Sequence, residues 1–238
     1  MVVGPKAIRR GGGARSLYVA AALAAILIVF AGFARTFYLK LVFGTPVLSL
    51  LLHVHGLVMS SWFVFFLVQA WLVSTGNVRL HRKLGVFGAC LAPAVVAAGC
   101  AVAIHAVRAG HTPPGIPPLV FLIIPLGDML IFAILVGCGL GLRRRSDFHK
   151  RLMLLASMSL LTAAITRIPI EFLQGKLVTD FSITILVALA CVAWDTIRNR
   201  RLHPAFGWGA LLIVVSWPLR LAVSGTRAWL DIATLLTA

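Results

Sequence analysis

The sequence is short of acidic residues and of charge in general. Asp and Glu together number only 6, against 22 Lys and Arg, and charged residues make up 12% of the 238 positions. A soluble domain carries about twice that charged fraction, roughly 25%. With 61% hydrophobic residues and a mean hydropathy of +1.01, the composition predicts a chain whose main solvent is lipid.

Motifs that mark soluble enzymes are also missing. The chain has no P-loop, GxGxxG, GxSxG or HExxH segment, no carboxylate-rich metal box, and no HxxHH cluster of the kind found in membrane di-iron oxygenases. We therefore expect binding, transfer or support of a complex rather than catalysis. The net charge of +16 does not indicate nucleic-acid binding, because the basic residues lie in short clusters between apolar runs.

Long apolar runs occupy most of the chain. A helix needs about 20 apolar residues to cross the hydrocarbon core of a bilayer. Suitable runs lie at Leu17–Phe33, Val47–Val73, Leu84–Val107, Pro118–Leu140, Leu152–Phe172, Leu177–Ile197 and Ala205–Val223. The sequence thus predicts an all-α integral membrane bundle of seven transmembrane helices at 17–223, between a basic tail at 1–16 and a short interfacial segment at 224–238. The first run lacks a clear cleavage site before Arg35, so we interpret it as an uncleaved helix.

The basic residues indicate an orientation, because cytoplasmic loops of membrane proteins collect Lys and Arg. With seven crossings, fifteen basic residues share the side of the N-terminus: Lys6, Arg9, Arg10, Arg15, Arg79, Arg82, Lys83, Arg143, Arg144, Arg145, Lys150, Arg151, Arg198, Arg200 and Arg201. Only six fall on the other side: Arg35, Lys40, Arg108, Lys176, Arg220 and Arg227. We therefore expect the N-terminus in the cytoplasm and the C-terminus outside.

A set of ionisable side chains is predicted to lie in the outer halves of four spans. Its members are His53, His55, His105, Asp128, Arg167 and Glu171. Such groups are costly inside a bilayer and usually face a bundle interior, so they form the predicted polar pocket. Arg167 and Glu171 are four residues apart and can pair on one helix face, with Asp128 as a second partner of Arg167. The alternatives are a packing clasp, a substrate, ion or proton site, and an Arg167 that snorkels outward.

Three further histidines lie where predicted helices begin on the cytoplasmic side. Arg79-Leu-His81 and Arg201-Leu-His203 share a pattern, and Asp147-Phe-His149 is a looser relative. The positive end of the helix dipole disfavours a cationic imidazole, which suits a neutral ligand of a metal or haem. The alternative is that these side chains anchor the helix ends among lipid head groups.

Segments from most of the chain carry a resemblance to known proteins. They are Phe37-Tyr-Leu39, Leu48-Ser-Leu-Leu-Leu-His-Val-His-Gly56, Leu80-His-Arg-Lys-Leu-Gly85, Ile124-Pro-Leu-Gly-Asp128, His149-Lys-Arg-Leu-Met-Leu-Leu-Ala156 and Leu221-Ala-Val-Ser-Gly-Thr226. Together they resemble a family of bacterial seven-helix inner-membrane proteins that has no established activity. The segment His81-Arg-Lys-Leu-Gly85 is also similar to bacterial b561-type cytochromes, in which a His-[Lys/Arg]-x-x-Gly at the start of a span includes a haem ligand. The resemblance implies a multi-pass protein of the bacterial cytoplasmic membrane.

Three functions are compatible with these patterns. The first is a redox membrane protein that binds haem b or a metal ion through histidines drawn from His55, His105, His81, His149 and His203. The second is a small-molecule or proton-coupled transporter that uses the outer polar pocket. The third is a non-catalytic accessory or assembly subunit of a membrane complex. Expected partners are the lipid bilayer and either such a complex or a second copy of the chain.

Overall fold

The computed structural model describes residues 12–170 and 177–238, and every regular element in these two ranges is a helix. The helices are α1 (Gly12–Phe33), α2 (Lys40–Phe43), α3 (Leu50–Ser74), α4 (Val78–Arg108), α5 (Pro118–Gly141), α6 (Ser146–Ser159), α7 (Thr162–Ile165), α8 (Leu177–Asn199), α9 (Pro204–Ser224) and α10 (Arg227–Thr237). A π-helical segment, Ala34–Tyr38, continues α1.

Seven helical spans in the described part of the chain are long and apolar enough to cross a membrane. They are Leu17–Tyr38, Leu50–Ser74, Val78–Arg108, Pro118–Gly141, Ser146–Ile165, Phe181–Asn199 and Pro204–Ser224. The prediction of an all-α bundle with seven such helices is therefore confirmed. The chain is a multi-pass membrane protein.

The fifth span differs from its predicted bounds of Leu152–Phe172. It begins at Ser146, so it includes polar residues that hydropathy had assigned to a loop, and it ends at Ile165. A turn after Ser159 separates α6 from α7. Arg167 consequently lies beyond the end of the span, while Arg151 lies inside it. Glu171 falls outside the described residues.

Helix α6 lies at the centre of the bundle. It contacts α1, α5, α8 and α9, and these helices continue through α3 and α4 into a ring around it. Its span has the lowest mean hydropathy, 1.2, yet 72% of it is buried, against 17% to 39% for the other six spans. The least apolar helix is thus the one most shielded from lipid, because neighbouring helices provide its surroundings.

The histidine-rich segments define one end of this bundle. Helices α4, α6 and α9 begin at the same end of the bundle, which also holds the connections 75–77, 142–145 and 200–203. We call this end the basic end. The opposite end is the far end, where the connections 44–49 and 109–117 lie. Helix α10, from the predicted interfacial segment, packs there on α4, α5 and α9, and the indole Nε1 of Trp229 donates to the carbonyl of Leu119 at 2.8 Å.

Candidate functional site

The structure brings the three histidine segments of the basic end together. The rings of His81 and His149 lie 6.3 Å apart, centroid to centroid, at an interplanar angle of 72°. His203 reaches the same region from α9, where its Nε2 lies 3.0 Å from Oδ2 of Asp147. The partial repetition seen in the sequence therefore corresponds to three helix starts that meet at one end of the bundle.

We call His81 and His149 the histidine pair. Nδ1 of His149 lies 2.8 Å from the carbonyl oxygen of Gly139, so this nitrogen donates a proton and leaves Nε2 as an acceptor. A second hydrogen bond of this kind fixes the tautomer of most histidines that ligate metals. On the other ring, Nδ1 of His81 is buried and has no hydrogen-bond partner among the described residues. The pair thus offers two ring nitrogens, Nε2 of His149 and Nδ1 of His81, that have no hydrogen-bond partner among the described residues.

Gln69 adds a third unpartnered group near the histidine pair. It lies on α3 next to His81, whose ring approaches the Gln69 backbone, and only 8% of the residue is exposed. Neither its Oε1 nor its Nε2 makes a hydrogen bond within the described ranges. A buried amide without partners costs free energy, about 1–3 kcal/mol per group, so its retention points to a ligand.

His203, the third histidine of the basic end, has a structural role instead. Its Nδ1 accepts from the backbone N–H of Ala205 at 3.2 Å, which makes it the N-cap of α9. Its Nε2 therefore donates to the carboxylate of Asp147. Both ring nitrogens are used, which leaves none for a metal or haem.

A buried ion pair joins α6 and α8 near the basic end. Arg151 of α6 and Asp195 of α8 form a two-pronged contact, with Nε to Oδ2 at 2.9 Å and Nη2 to Oδ1 at 2.9 Å. Nη1 of Arg151 also donates to the backbone carbonyl of Asp147 at 2.9 Å. The residues are only 5% and 4% exposed. The two carboxylates and the two cationic or imidazole groups thus link α6, α8 and α9.

Sequence reasoning missed this pair. The predicted fifth run begins at Leu152, so the charge count places Arg151 with the basic residues on the side of the N-terminus. Asp195 is a single carboxylate inside the apolar run Leu177–Ile197, which is the same signal that singled out Asp128. That signal was sufficient to predict a buried partner for Asp195.

Asp128, from the predicted outer pocket, pairs with a different arginine from the one expected. Nη1 of Arg220 on α9 lies 2.6 Å from Oδ1 of Asp128, and the same nitrogen donates to the carbonyl of Ile124 at 3.1 Å. The expected partner, Arg167, instead donates to the carbonyl of Ala163 at 2.7 Å. The predicted Asp128–Arg167 contact is therefore wrong, because α5 packs against α9 and Arg220 is buried there.

Arg167 and the histidines of the far half make separate contacts. The Arg167 guanidinium lies 5.1 Å from the ring centroid of Phe33. Nε2 of His53 lies 3.0 Å from the ammonium nitrogen of Lys40. Nδ1 of His55 is buried without a partner among the described residues, and His105 lines an open cavity of about 420 Å³ that His111 also lines. Within the described ranges, no hydrogen bond or ion pair joins any two members of the predicted pocket. The predicted Arg167–Glu171 contact lies outside those ranges.

The donor set of the histidine pair fits haem iron better than a bare ion. No group of three or more His, Cys, Asp or Glu side chains in the described ranges could hold a metal ion. A structural metal ion usually takes four protein ligands, whereas haem iron needs only one or two axial ligands. His81 and His149 come from different helices and their ring centroids lie 6.3 Å apart, so both imidazoles could contribute to one such site.

Fold and site together define a multi-pass helical membrane protein with a histidine pair at one end. Comparison with family models, with curated proteins and with solved structures finds no match to this chain.

Proposed function

We propose that the protein is a redox protein of the bacterial cytoplasmic membrane that binds haem b between His81 and His149. The observation that carries the proposal is the histidine pair itself, two imidazoles from different helices whose ring centroids lie 6.3 Å apart. Haem iron supplies a one-electron couple, whose potential depends on its axial ligands and on burial. The chain supplies the ligands, and Gly139 fixes the tautomer of one of them through its carbonyl.

Open space beside His81 supports this proposal. Gly85 lies four residues after His81 and so on the same helix face. A Cβ atom added at Gly85 would meet no heavy atom within 4 Å, so this residue leaves open space beside His81. The likeness of His81-Arg-Lys-Leu-Gly85 to b561-type cytochromes points to the same chemistry.

A metal ion is the second candidate ligand of this site, and Gln69 is the observation that favours it. The Gln69 backbone lies beside His81, and the buried amide oxygen of Gln69 has no partner among the described residues, so it could add an oxygen ligand to the two imidazole nitrogens. Imidazole suits zinc, copper, iron and nickel, so metal content separates this candidate from haem.

Small-molecule binding or transport in the far half is a second candidate function. Its support is the open cavity of about 420 Å³ that is lined by His105, His111, Thr36 and Ser49. Uptake into proteoliposomes that fails in a His105→Ala variant, but not in a His149→Ala variant, would favour this function over the redox one.

The orientation and the partners are part of the proposal. The positive-inside rule places the basic end in the cytoplasm, so an electron carrier at the histidine pair would exchange electrons near that face. Large apolar side chains such as Leu41, Val47 and Leu235 are at least 78% exposed, which suits contact with lipid. The same surfaces would admit an accessory role in a larger complex or contact with a second copy.

An optical spectrum of the purified protein tests the proposal. The protein is expressed with ample haem, purified in detergent, and analysed by absorption, haem extraction and elemental analysis. We expect a Soret band in the wild type that is lost in both His81→Ala and His149→Ala. A His149→Met variant should retain haem with a shifted spectrum, because the axial ligand sets the electronic properties of the iron.

The matched control is His203→Asn at the same end of the bundle. Asn keeps an N-cap side chain for α9, and His203 has no free ring nitrogen in the structure, so this variant should retain the wild-type spectrum. A colourless, metal-free wild-type protein would overturn the proposal. Full haem content in the double variant His81→Ala/His149→Ala would overturn it as well.

A further inference from the structure

Besides the cavity of the far half, a second cavity lies at the basic end, and neither His81 nor His149 lines it. It has a volume of about 390 Å³ and is lined by Asp147, Lys150, Arg151, Asn199, Arg201 and His203. These residues come from the start of α6, the end of α8, and the connection from α8 to α9. We call this space the cationic cavity, for the charge balance described next. Its volume is within the range of small-molecule binding sites, about 300–1,000 Å³.

Both carboxylates near the cationic cavity are already engaged. Asp195 binds the guanidinium of Arg151 in the two-pronged contact, so these two charges neutralise each other. Asp147 accepts a hydrogen bond from Nε2 of His203. Nδ1 of His203 accepts from the backbone N–H of Ala205, so both of its ring nitrogens are engaged. The region therefore holds two carboxylates, Asp147 and Asp195, against three cationic side chains, Arg151, Lys150 and Arg201.

Lys150 and Arg201 are the cations that remain available. Neither side chain makes an ion pair or hydrogen bond within the described ranges, although the Lys150 ammonium lies 5.6 Å from the ring centroid of Tyr18. Lys150 is half-buried and Arg201 is exposed at the mouth of the cavity. The flanking Arg198 and Arg200 add positive charge, so the field at the cavity favours an anion.

The backbone holds this arrangement in place. Arg200 adopts a left-handed conformation, with φ of 54°, at the reversal between α8 and α9. The side chain of Asn199 donates to the carbonyl of Asp195 at 2.8 Å, which ties the end of α8 to the buried ion pair. Arg201 therefore projects from a connection whose two ends are anchored, by Asn199 on one side and by the His203 cap on the other.

We propose that the cationic cavity binds a phosphate-bearing group through Lys150 and Arg201. Phosphate oxygens accept hydrogen bonds from guanidinium and ammonium groups, and Arg binds them through two parallel contacts. Basic cavities between transmembrane helices on the cytoplasmic side bind the head groups of anionic phospholipids. A soluble phosphate ester or inorganic phosphate offers the same chemistry from the aqueous side.

Lipid binding by the full chain tests the proposal. Delipidated protein in detergent is titrated with cardiolipin, with phosphatidylglycerol and with phosphatidylcholine, and bound lipid is counted by native mass spectrometry. We expect the anionic lipids to bind, and the double variant Lys150→Gln/Arg201→Gln to weaken this binding by roughly 10- to 30-fold. A second titration with inorganic phosphate, followed by thermal stability, reports binding from the aqueous side.

The matched control is Arg79→Gln/Arg144→Gln, which removes the same charge from exposed positions of the basic end outside the cavity. This control should change lipid affinity by less than about twofold, because neither Arg79 nor Arg144 lines the cavity. Binding of inorganic phosphate without lipid retention, lost in the cavity variant, would support the same site with a soluble ligand. Equal losses in the two double variants, or no binding of either probe, would overturn the proposal. The Soret band should persist in the cavity variant, so this test is independent of haem binding.

Discussion

The two halves of the bundle hold their buried charges in different ways. At the basic end, Arg151 and Asp195 form a bidentate ion pair whose side chains are each 6% exposed. Arg151 also donates a hydrogen bond to the backbone carbonyl of Asp147. In the far half, Arg220 and Asp128 share one short contact, with side chains 8% and 15% exposed. The first pair belongs to a network that spans α6, α8 and α9, whereas the second joins α5 and α9 alone. Arg151 thus binds both oxygens of its carboxylate partner, whereas Arg220 binds only one.

The largest effect is expected from Asp195→Asn. The change keeps the side-chain shape but leaves the Arg151 charge buried without its counterion, which destabilises proteins by about 3–5 kcal/mol. Unfolding of the purified protein in increasing concentrations of a denaturing detergent measures the loss. The double variant Arg151→Met/Asp195→Leu is the control and should recover part of the stability, because no uncompensated charge remains. Equal instability of both variants would contradict a charge origin.

A smaller effect is expected from Asp128→Asn in the far half. Arg220 keeps its hydrogen bonds to the Ile124 carbonyl and to Oγ of Ser216, so its charge stays partly solvated by the protein. We expect a loss of about 1.5–3 kcal/mol, the usual contribution of a hydrogen bond to a charged group. The same denaturation series compares this variant with Asp195→Asn. A greater loss at Asp128 would reverse our ranking of the two halves.

Gly127→Ala tests how tightly Arg220 is held beside Asp128. A Cβ atom at Gly127 would collide with the guanidinium side of Arg220, so the arginine must shift away from Asp128. We expect a loss of roughly 1–3 kcal/mol from this overpacking. Gly137→Ala on the same helix is the matched control, because its added methyl meets no atom within 4 Å and should leave stability unchanged or slightly higher. Similar stabilities for the two variants would show that Arg220 is free to move.

The smallest effect is expected from His203→Ala at the basic end. The change removes the N-cap of α9 and the hydrogen bond that His203 donates to Asp147, which should cost about 1 kcal/mol. His203→Asn should restore most of this loss, since Asn is a good N-cap. Thermal melts of the three proteins provide the measurement. A loss in His203→Ala as large as that in Asp195→Asn would mean that the whole network depends on this cap.

The number and type of the spans could be predicted from the sequence, but their neighbours could not. Hydropathy identifies apolar runs of membrane length, because lipid constrains each crossing separately. Which arginine meets Asp128 depends on the packing of α5 against α9, and no local pattern contains that information. The charge count places Arg220 with the basic residues of the outer side, near the end of the predicted run Ala205–Val223, and the structure buries it against α5.

The histidine pair was predicted in part. The repeated segments placed His81 and His149 at helix starts on one side of the membrane, which follows from topology alone. Their mutual contact depends on the arrangement of α4 and α6, and the contribution of Gln69 depends on its burial in α3. Conversely, His53 and His55 shared a span and a depth but made no common site. Two residues along a helix correspond to a rotation of about 200°, so neighbours in sequence point to different surroundings.

The central position of α6 has a consequence for how the protein enters the membrane. A span with a mean hydropathy of only 1.2 and a buried arginine is a poor substrate for insertion as an isolated segment. Its counterion, Asp195, belongs to α8 and is synthesised later. Stable insertion of α6 therefore depends on helices that follow it in the chain, and a nascent chain that stops before α8 should hold this segment at the membrane surface. Membrane insertion of α6 is therefore expected to depend on α8, and the two spans should insert cooperatively.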